Sequence, residues 1–327
     1  MIFRLTRHAV IALTGLTLAL TSATSSSQQF PTRPVVLVTP YQAGGSIDAI
    51  ARPLAAKLAK IWGQPVVVEN RPGANGMIAT QSVVKAPPDG QTLLYHITGI
   101  IQNPLLYKKV GYDPIKDVVP IIQLGGQAMG LAVPVRSPIK TTAELVADGK
   151  GKGSQGHAYG TVGVGHTGHI WSELLAGEQG FTATHAPYKG SGPLVIDLVS
   201  DRLDWAFLSS AEAIVRATDK SVRVLAVTGT QRIPQLPDVS TLREQGYPGF
   251  EMVGWHGLFA PAGTPRAVID RIEQDGRTVL ADPEIQKILT AQVILGTGLG
   301  AEEFARVMRQ DQARWATLIK RFNIQAD

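Results

Sequence analysis
From Pro34 onward the chain repeats one pattern: a run of β-branched residues, a turn of glycine or proline, then an apolar stripe at three- and four-residue spacing. Residues 34–39 (PVVLVT) end at Pro40 and the Gly44-Gly45 pair, as a buried parallel strand entering a turn does. Ile47, Ile50, Leu54, Leu58 and Ile61 then mark one helical face, with Lys57 and Lys60 in the last turns and Gly63 as the stop. Residues 65–69 are the next strand, 72–76 a loop, 77–85 an amphipathic helix, and 87–90 a turn into a strand at 91–98. Such alternation with short loops selects an α/β fold with mostly parallel central sheets flanked by helices.

Past Asp117 the apolar segments 118–124 and 129–133 are short and glycine-punctuated, which reads as a crossover. A second series follows, with helices at 142–150, 169–177, 193–200 and 211–217 and strands at 157–161, 182–187, 204–208 and 222–228. After residues 254–261 comes a helical tail at 265–280, 283–290 and 302–322, with one short strand at 293–295. That tail is too poor in strands to build a sheet, so it is expected to pack back on the first lobe. A length of 327 residues suits two lobes. The expected division is 28–128 with 254–327 for lobe 1 and 129–253 for lobe 2.

Residues 1–27 read as an export signal: Arg4 and Arg7, an apolar stretch from Ala9 to Leu20, then small polar residues with cleavage near 23–27. The stretch is shorter than the roughly 20 residues a membrane span needs, so a retained anchor is the weaker alternative. The expected compartment is the periplasm, where nucleotide cofactors are scarce, and no cofactor is expected. An absence of cysteine excludes disulfides, thiolate metal sites and a cysteine nucleophile. Net charge is +5 without a run of five like charges, which gives no support to nucleic-acid binding.

Two loops carry the chemistry. Ala43-Gly44-Gly45-Ser46 joins a strand to a helix start, where unpartnered N–H groups and the helix dipole favour a carboxylate or phosphate. The bland alternative is a tight turn with Ser46 as cap and Asp48 complementing the dipole. Between a second strand and helix, Gly163-Val164-Gly165-His166-Thr167-Gly168 spells G-x-G-x-x-G. No acidic residue lies between Glu178 and Asp197 to hold a ribose, so the dinucleotide reading fails. A second anion cradle with the hydroxyls of Thr161 and Thr167 remains. His166, His169 and Glu173 share a helix face and raise a metal reading, against His169 and Glu173 as ordinary surface residues and His166 as a loop donor. Neither G-x-S-x-G nor H-E-x-x-H occurs, so no hydrolase motif is present and no catalysis is expected.

Several blocks stand in order: Pro31-Thr32-Arg33-Pro34, Pro40-Tyr41-Gln42-Ala43-Gly44-Gly45-Ser46-Ile47-Asp48, Val66-Val67-Val68-Glu69-Asn70-Arg71-Pro72-Gly73-Ala74-Asn75-Gly76, Pro88-Asp89-Gly90-Gln91-Thr92-Leu93, Ala186-Pro187-Tyr188-Lys189-Gly190 and Gly254-Trp255-His256-Gly257-Leu258-Phe259-Ala260-Pro261-Ala262-Gly263-Thr264-Pro265. With these the sequence resembles the periplasmic solute-binding subunits of tripartite tricarboxylate transporters, the Bug family. The resemblance implies a two-lobed, type II-like periplasmic-binding-protein fold that closes over a small organic carboxylate. It also implies a monomer that delivers its ligand to membrane permease subunits. Tyr41, Ala43, Gly44, Gly45 and Ser46 would belong to the first clamp, steadied by Asp48. Thr161, Gly163, Val164, Gly165 and His166 would form the second, with Tyr188 and Asp204 in the pocket wall and second lobe. This sequence departs from the family at Tyr41, Ser191, Ser200 and His256, so ligand identity stays open. His96 and His256 offer donors to a second carboxylate, and Tyr41 or Tyr188 a ring for an aromatic acid; packing is the alternative for each. A sensory module or an exported hydrolase are the rival functions.

Overall fold
The structure is a computed structural model that describes residues 30–153, 157–188 and 190–326; the export signal expected at residues 1–27 lies outside them. β1 (Val35–Thr39), β2 (Val66–Asn70) and β3 (Thr92–Ile97) alternate with α1 (Ser46–Trp62), a 3-10 turn at Ala74–Gly76 and α2 (Met77–Val84). Then come α3 (Gly99–Leu106) and two long strands, β4 (Val118–Gln127) and β5 (Met129–Pro134). The second series is α4 (Thr142–Lys152), β6 (His157–Thr161), α5 (Thr167–Gln179), β7 (Ala183–Pro187), α6 (Ser191–Val199), β8 (Trp205–Ser209), α7 (Ser210–Thr218) and β9 (Val222–Val227). The chain closes with β10 (Gly254–Pro261), α8 (Arg266–Leu280), α9 (Pro283–Ala291), β11 (Leu295–Gly300) and α10 (Ala301–Arg321).

Two sheets result, ordered β11-β4-β10-β3-β1-β2 and β7-β6-β8-β5-β9. Both are mixed rather than mostly parallel. β1 pairs in parallel with β2 and β3, and β6 with β7 and β8. The strands entering and leaving the crossover run the other way: β10 is antiparallel to β3 and β4, and β5 to β8 and β9. Local hydrophobic pattern reveals a strand but not its direction, because direction depends on partners roughly 75 to 165 residues away. The chain passes from one sheet to the other between Gln127 and Met129, and returns ahead of Gly254.

Local chemistry explains most boundaries. Gly63 closes α1 in the left-handed conformation, its N–H donating to Ala59 O, while Thr141 and Asp282 cap α4 and α9 through their side chains. Of the expected α1 stripe, Ile47, Ile50, Leu54 and Leu58 are buried and Ile61 is exposed. Gly257 lets β10 pass beneath Phe304, since a Cβ there would lie 2.4 Å from its ring.

The helical tail does more than cover the first sheet. Phe304 of α10 meets Trp255 edge-on at 5.0 Å, and further along Trp315 packs at 4.8 Å on Trp171 of α5. Phe322 lies over Gly177. One cluster of buried side chains therefore runs from Leu94 and Phe259 in the first sheet through Trp315 to Trp205 and Phe207 in the second. α10 packs chiefly on the first sheet's elements, as expected of the tail, and also reaches the second sheet through Trp315.

Candidate anion-binding site
The first loop follows β1. Gly44 takes a left-handed conformation (φ +82°) and Gly45 is the extended N-cap of α1, without a side-chain cap. Ser46 is the first helical residue rather than the cap. Amides in the first turn of a helix have no intrahelical partner and sit at the positive end of its dipole. Ala43, Gly44 and Gly45 are exposed around this opening.

Asp48 holds the loop from behind. Its Oδ2 accepts from Gly44 N at 3.0 Å and from Arg52 Nε at 2.7 Å, and its Oδ1 accepts from Asn70 Nδ2 at 3.0 Å. Asn70, at the end of β2, also reaches Thr39 Oγ1 and Tyr41 O, while Arg52 returns to Asn70 Oδ1. Strand end, loop and helix start are tied into one network. The Arg52 hydrogen bond, aided by those from Gly44 and Asn70, holds the buried Asp48 carboxyl down to about 2. Arg52 is engaged with the loop's own carboxylate, so the loop's offer to an anion is chiefly its amides.

The second loop joins β6 to α5. Here the structure corrects which amides are open. Gly163 N donates to Thr161 Oγ1 at 3.3 Å, Gly165 N to His169 Nδ1 at 3.0 Å and Gly168 N to His166 Nδ1 at 3.2 Å. His166 N donates to Gly163 O at 3.3 Å. The N–H groups of Val164 and Thr167 have no partner among the described residues. Gly163 and Gly165 thus shape the loop, both at positive φ, and their neighbours carry its free donors. Thr167 Oγ1 lies 3.3 Å from Gln102 Nε2 of α3, which sets the start of α5 against the first sheet's elements.

His166 serves as N-cap of α5 through Nδ1. A metal at His166, His169 and Glu173 is disfavoured by these roles, since each histidine spends Nδ1 on a loop amide. No group of three or more metal-type ligands occurs among the described residues. His169 is buried rather than a surface residue.

The remaining expected site residues divide. Tyr188 N donates to Thr161 O at 2.8 Å, which places it beside the second loop, while its hydroxyl donates to Asp197. Asp204 lies at the other end of β6 and β8, accepting from Ala158 N and Lys152 and facing His157, and there it braces the N-terminal ends of the strands, away from the loop. His256 pairs through Nδ1 with Tyr95 OH at 2.8 Å inside the first core. His96 packs with Nε2 toward Gly76 and Pro40, edge-on to Tyr41 at 6.5 Å. Burial lowers His96 and His256 each to about 4, so neither brings a positive charge at neutral pH. Burial pushes the Tyr41 phenol up, which keeps it neutral as well.

Sequence reasoning missed Arg52, Asn70, His169 and His185. The spacing of Asp48 and Arg52, four apart on a helix, was a usable signal for the first. His185 reaches Thr161 from the adjacent strand, and no local pattern announces that. A separate groove of about 470 Å³ lined by Ala211, Ile214, Val215 and Lys287 shares no residue with either loop.

Two helix-flanked mixed sheets, joined by crossing strands and each bearing a strand-to-helix turn with open amides, have the build of a two-lobed solute-binding protein. Comparison with known proteins gives the family. The model of the tripartite tricarboxylate transporter family receptor matches residues 50–324. The chain is 36% identical over 322 residues to the UPF0065 protein in the tcbD-tcbE intergenic region of Pseudomonas sp. (strain P51), covering 96% of this chain and 95% of that one. Among solved structures, the periplasmic binding protein BugD is similar with TM-score 0.79 at 33% identity, over 90% of this chain and 99% of that one. R. palustris Rpa4515 with adipate is similar with TM-score 0.81 at 32% identity, over 90% and 99%. The chain belongs to the tripartite tricarboxylate transporter receptor family, and the resemblance seen in the sequence blocks is borne out.

Proposed function
We propose that this protein is a periplasmic receptor that captures a small organic carboxylate between the 43–48 and 161–167 loops and delivers it, as the lobes close, to the membrane subunits of a tripartite tricarboxylate transporter. The observation that carries the reading is the uncapped start of α1, buttressed by an ionised Asp48 that is itself satisfied by Arg52, Asn70 and Gly44. The open amides of Val164 and Thr167 in the other lobe supply the second half of the clamp. Adipate bound to the similar Rpa4515 supports a carboxylate as ligand class. Hydrogen bonds to a charged group contribute about 1.5–3 kcal/mol each, so a few amides reach micromolar affinity, about 8 kcal/mol.

The test is a thermal-shift screen of residues 28–327 against aliphatic dicarboxylates, tricarboxylates, acidic amino acids and aromatic acids. A ligand at 100 times its Kd adds about 2.7 kcal/mol, which raises Tm by a few degrees at this size. One class of acid is expected to stand out; a flat response from folded, ligand-free protein would overturn the proposal.

A further inference from the structure
Behind the second loop stands a cluster of four rings packed face to face. His169 lies on His185 with centroids 3.9 Å apart and planes at 17°, His185 on Tyr159 at 5.1 Å and 14°, and Tyr159 on Trp205 at 5.0 Å and 25°. Packing alone would be served by any flat apolar residue. What distinguishes this cluster is that each of its two histidines spends a ring nitrogen on the loop.

We propose that His169, with His185 beside it, is a positioning residue for the second anion loop, holding Gly165 and Thr161 so that the amides of Val164 and Thr167 stay open for the ligand carboxylate. This rests on the receptor reading above. A backbone N–H can only donate, so Nδ1 of His169, 3.0 Å from Gly165 N, is the unprotonated nitrogen and the proton sits on Nε2. Nε2 faces Glu173 Oε1 at 3.9 Å, and the same oxygen accepts from Tyr159 OH. The Thr161 hydroxyl donates to Gly163 O at 2.9 Å, so His185 Nε2, 2.6 Å from that hydroxyl, is the donor. One imidazole accepts from the loop, a role that requires a neutral ring, and its neighbour donates to it. Burial agrees, lowering His169 to about 3 and His185 to about 4.

The imidazole edge therefore takes up the Gly165 amide, and the turn that follows leaves Val164 N and Thr167 N unpaired. With an apolar residue at 169 the buried Gly165 amide has no acceptor, and the loop gains by turning that amide elsewhere.

The test compares His169→Leu with His169→Asn, whose Oδ1 is able to accept where Nδ1 did. Two readouts are taken: hydrogen exchange of the 161–168 backbone without ligand, and calorimetric affinity for the acid with the largest thermal shift. In His169→Leu, Gly165 exchange is expected to speed up more than tenfold and affinity to fall more than 30-fold. In His169→Asn both are expected to stay within about threefold of the wild type. His185→Phe, which keeps the stack and loses the donor to Thr161, is expected to weaken binding with melting cooperativity retained, and it stands in if His169→Leu does not fold. Equal behaviour of the Leu and Asn variants, or wild-type affinity in His185→Phe, would reduce the ring cluster to packing and overturn the proposal. If no acid binds the wild type, the receptor reading fails; the exchange arm then decides separately, and unchanged Gly165 exchange in His169→Leu overturns the hold on the loop.

Discussion
Gly44→Leu is expected to leave the protein folded and to weaken carboxylate binding more than 100-fold. A Cβ at Gly44 would meet nothing within 4 Å, so the substitution brings no core clash. The backbone there is at φ +82°, where a residue with a side chain costs about 1–2 kcal/mol. The loop relieves that cost by rotating the peptide, which takes the Gly44 N–H away from Asp48 Oδ2 and unties the turn from Arg52 and Asn70. A 100-fold loss corresponds to about 2.7 kcal/mol, within reach of losing one or two hydrogen bonds to a charged ligand. Calorimetric titration beside a circular-dichroism melt separates the two effects. Affinity within threefold of wild type would remove the first loop from the site.

The second large effect is acid instability above the carboxylate range. His96, His169 and His256 are less than a tenth exposed, and burial lowers them to about 4, 3 and 4 from 6.5. His166 and His185 are also lowered to about 4. In the unfolded chain these rings take up protons near pH 6.5, whereas the native state does so only near pH 4. The unfolded state therefore binds more protons across that window, and stability falls as pH falls from 6.5 toward 4. Each fully buried ring contributes at most about 1.4 kcal/mol per pH unit, so the three together remove several kcal/mol by pH 5. Asp48 acts in a lower window. Its carboxyl is depressed to about 2 from 3.8, so its contribution is present above pH 4 and is lost as pH drops toward 2. A Tm that is level from pH 8 to 7 and about 10 °C lower at pH 5 is expected. A Tm unchanged down to pH 5 would mean that the buried rings take up protons without penalty.

The parts legible in the sequence were those whose cause is local. β1, the Gly44-Gly45 turn and α1 form a unit in which strand run, turn glycines and stripe lie within 28 residues, from Val35 to Trp62. The glycine-rich strand-to-helix turn after β6 was visible for the same reason. α3 was not, because Ile100, Ile101, Gln102, Asn103 and Leu106 are all buried, which erases an amphipathic period, and Pro104 sits inside it. β11 falls at Leu295–Gly300, after the expected 293–295, because glycine-rich LGTGLG carries little strand propensity and is held by pairing with β4. Within the site, the second turn was read as a cradle that includes Gly163 and Gly165, yet the amides of these two are taken by Thr161 and His169. That exchange depends on side-chain direction, which spacing does not report. Asp204 directly precedes β8, and the five residues of β6 separate the loop from the brace it forms, a placement that spacing does not report.

The most direct measurement is a crystal structure of residues 28–327 with the acid that gives the largest thermal shift. A carboxylate is expected between the lobes, accepting within about 3.2 Å, directly or through one water, from first-turn amides of α1 and from Val164 or Thr167. A ligand carboxylate held by side chains elsewhere, with both loops unoccupied, would contradict it.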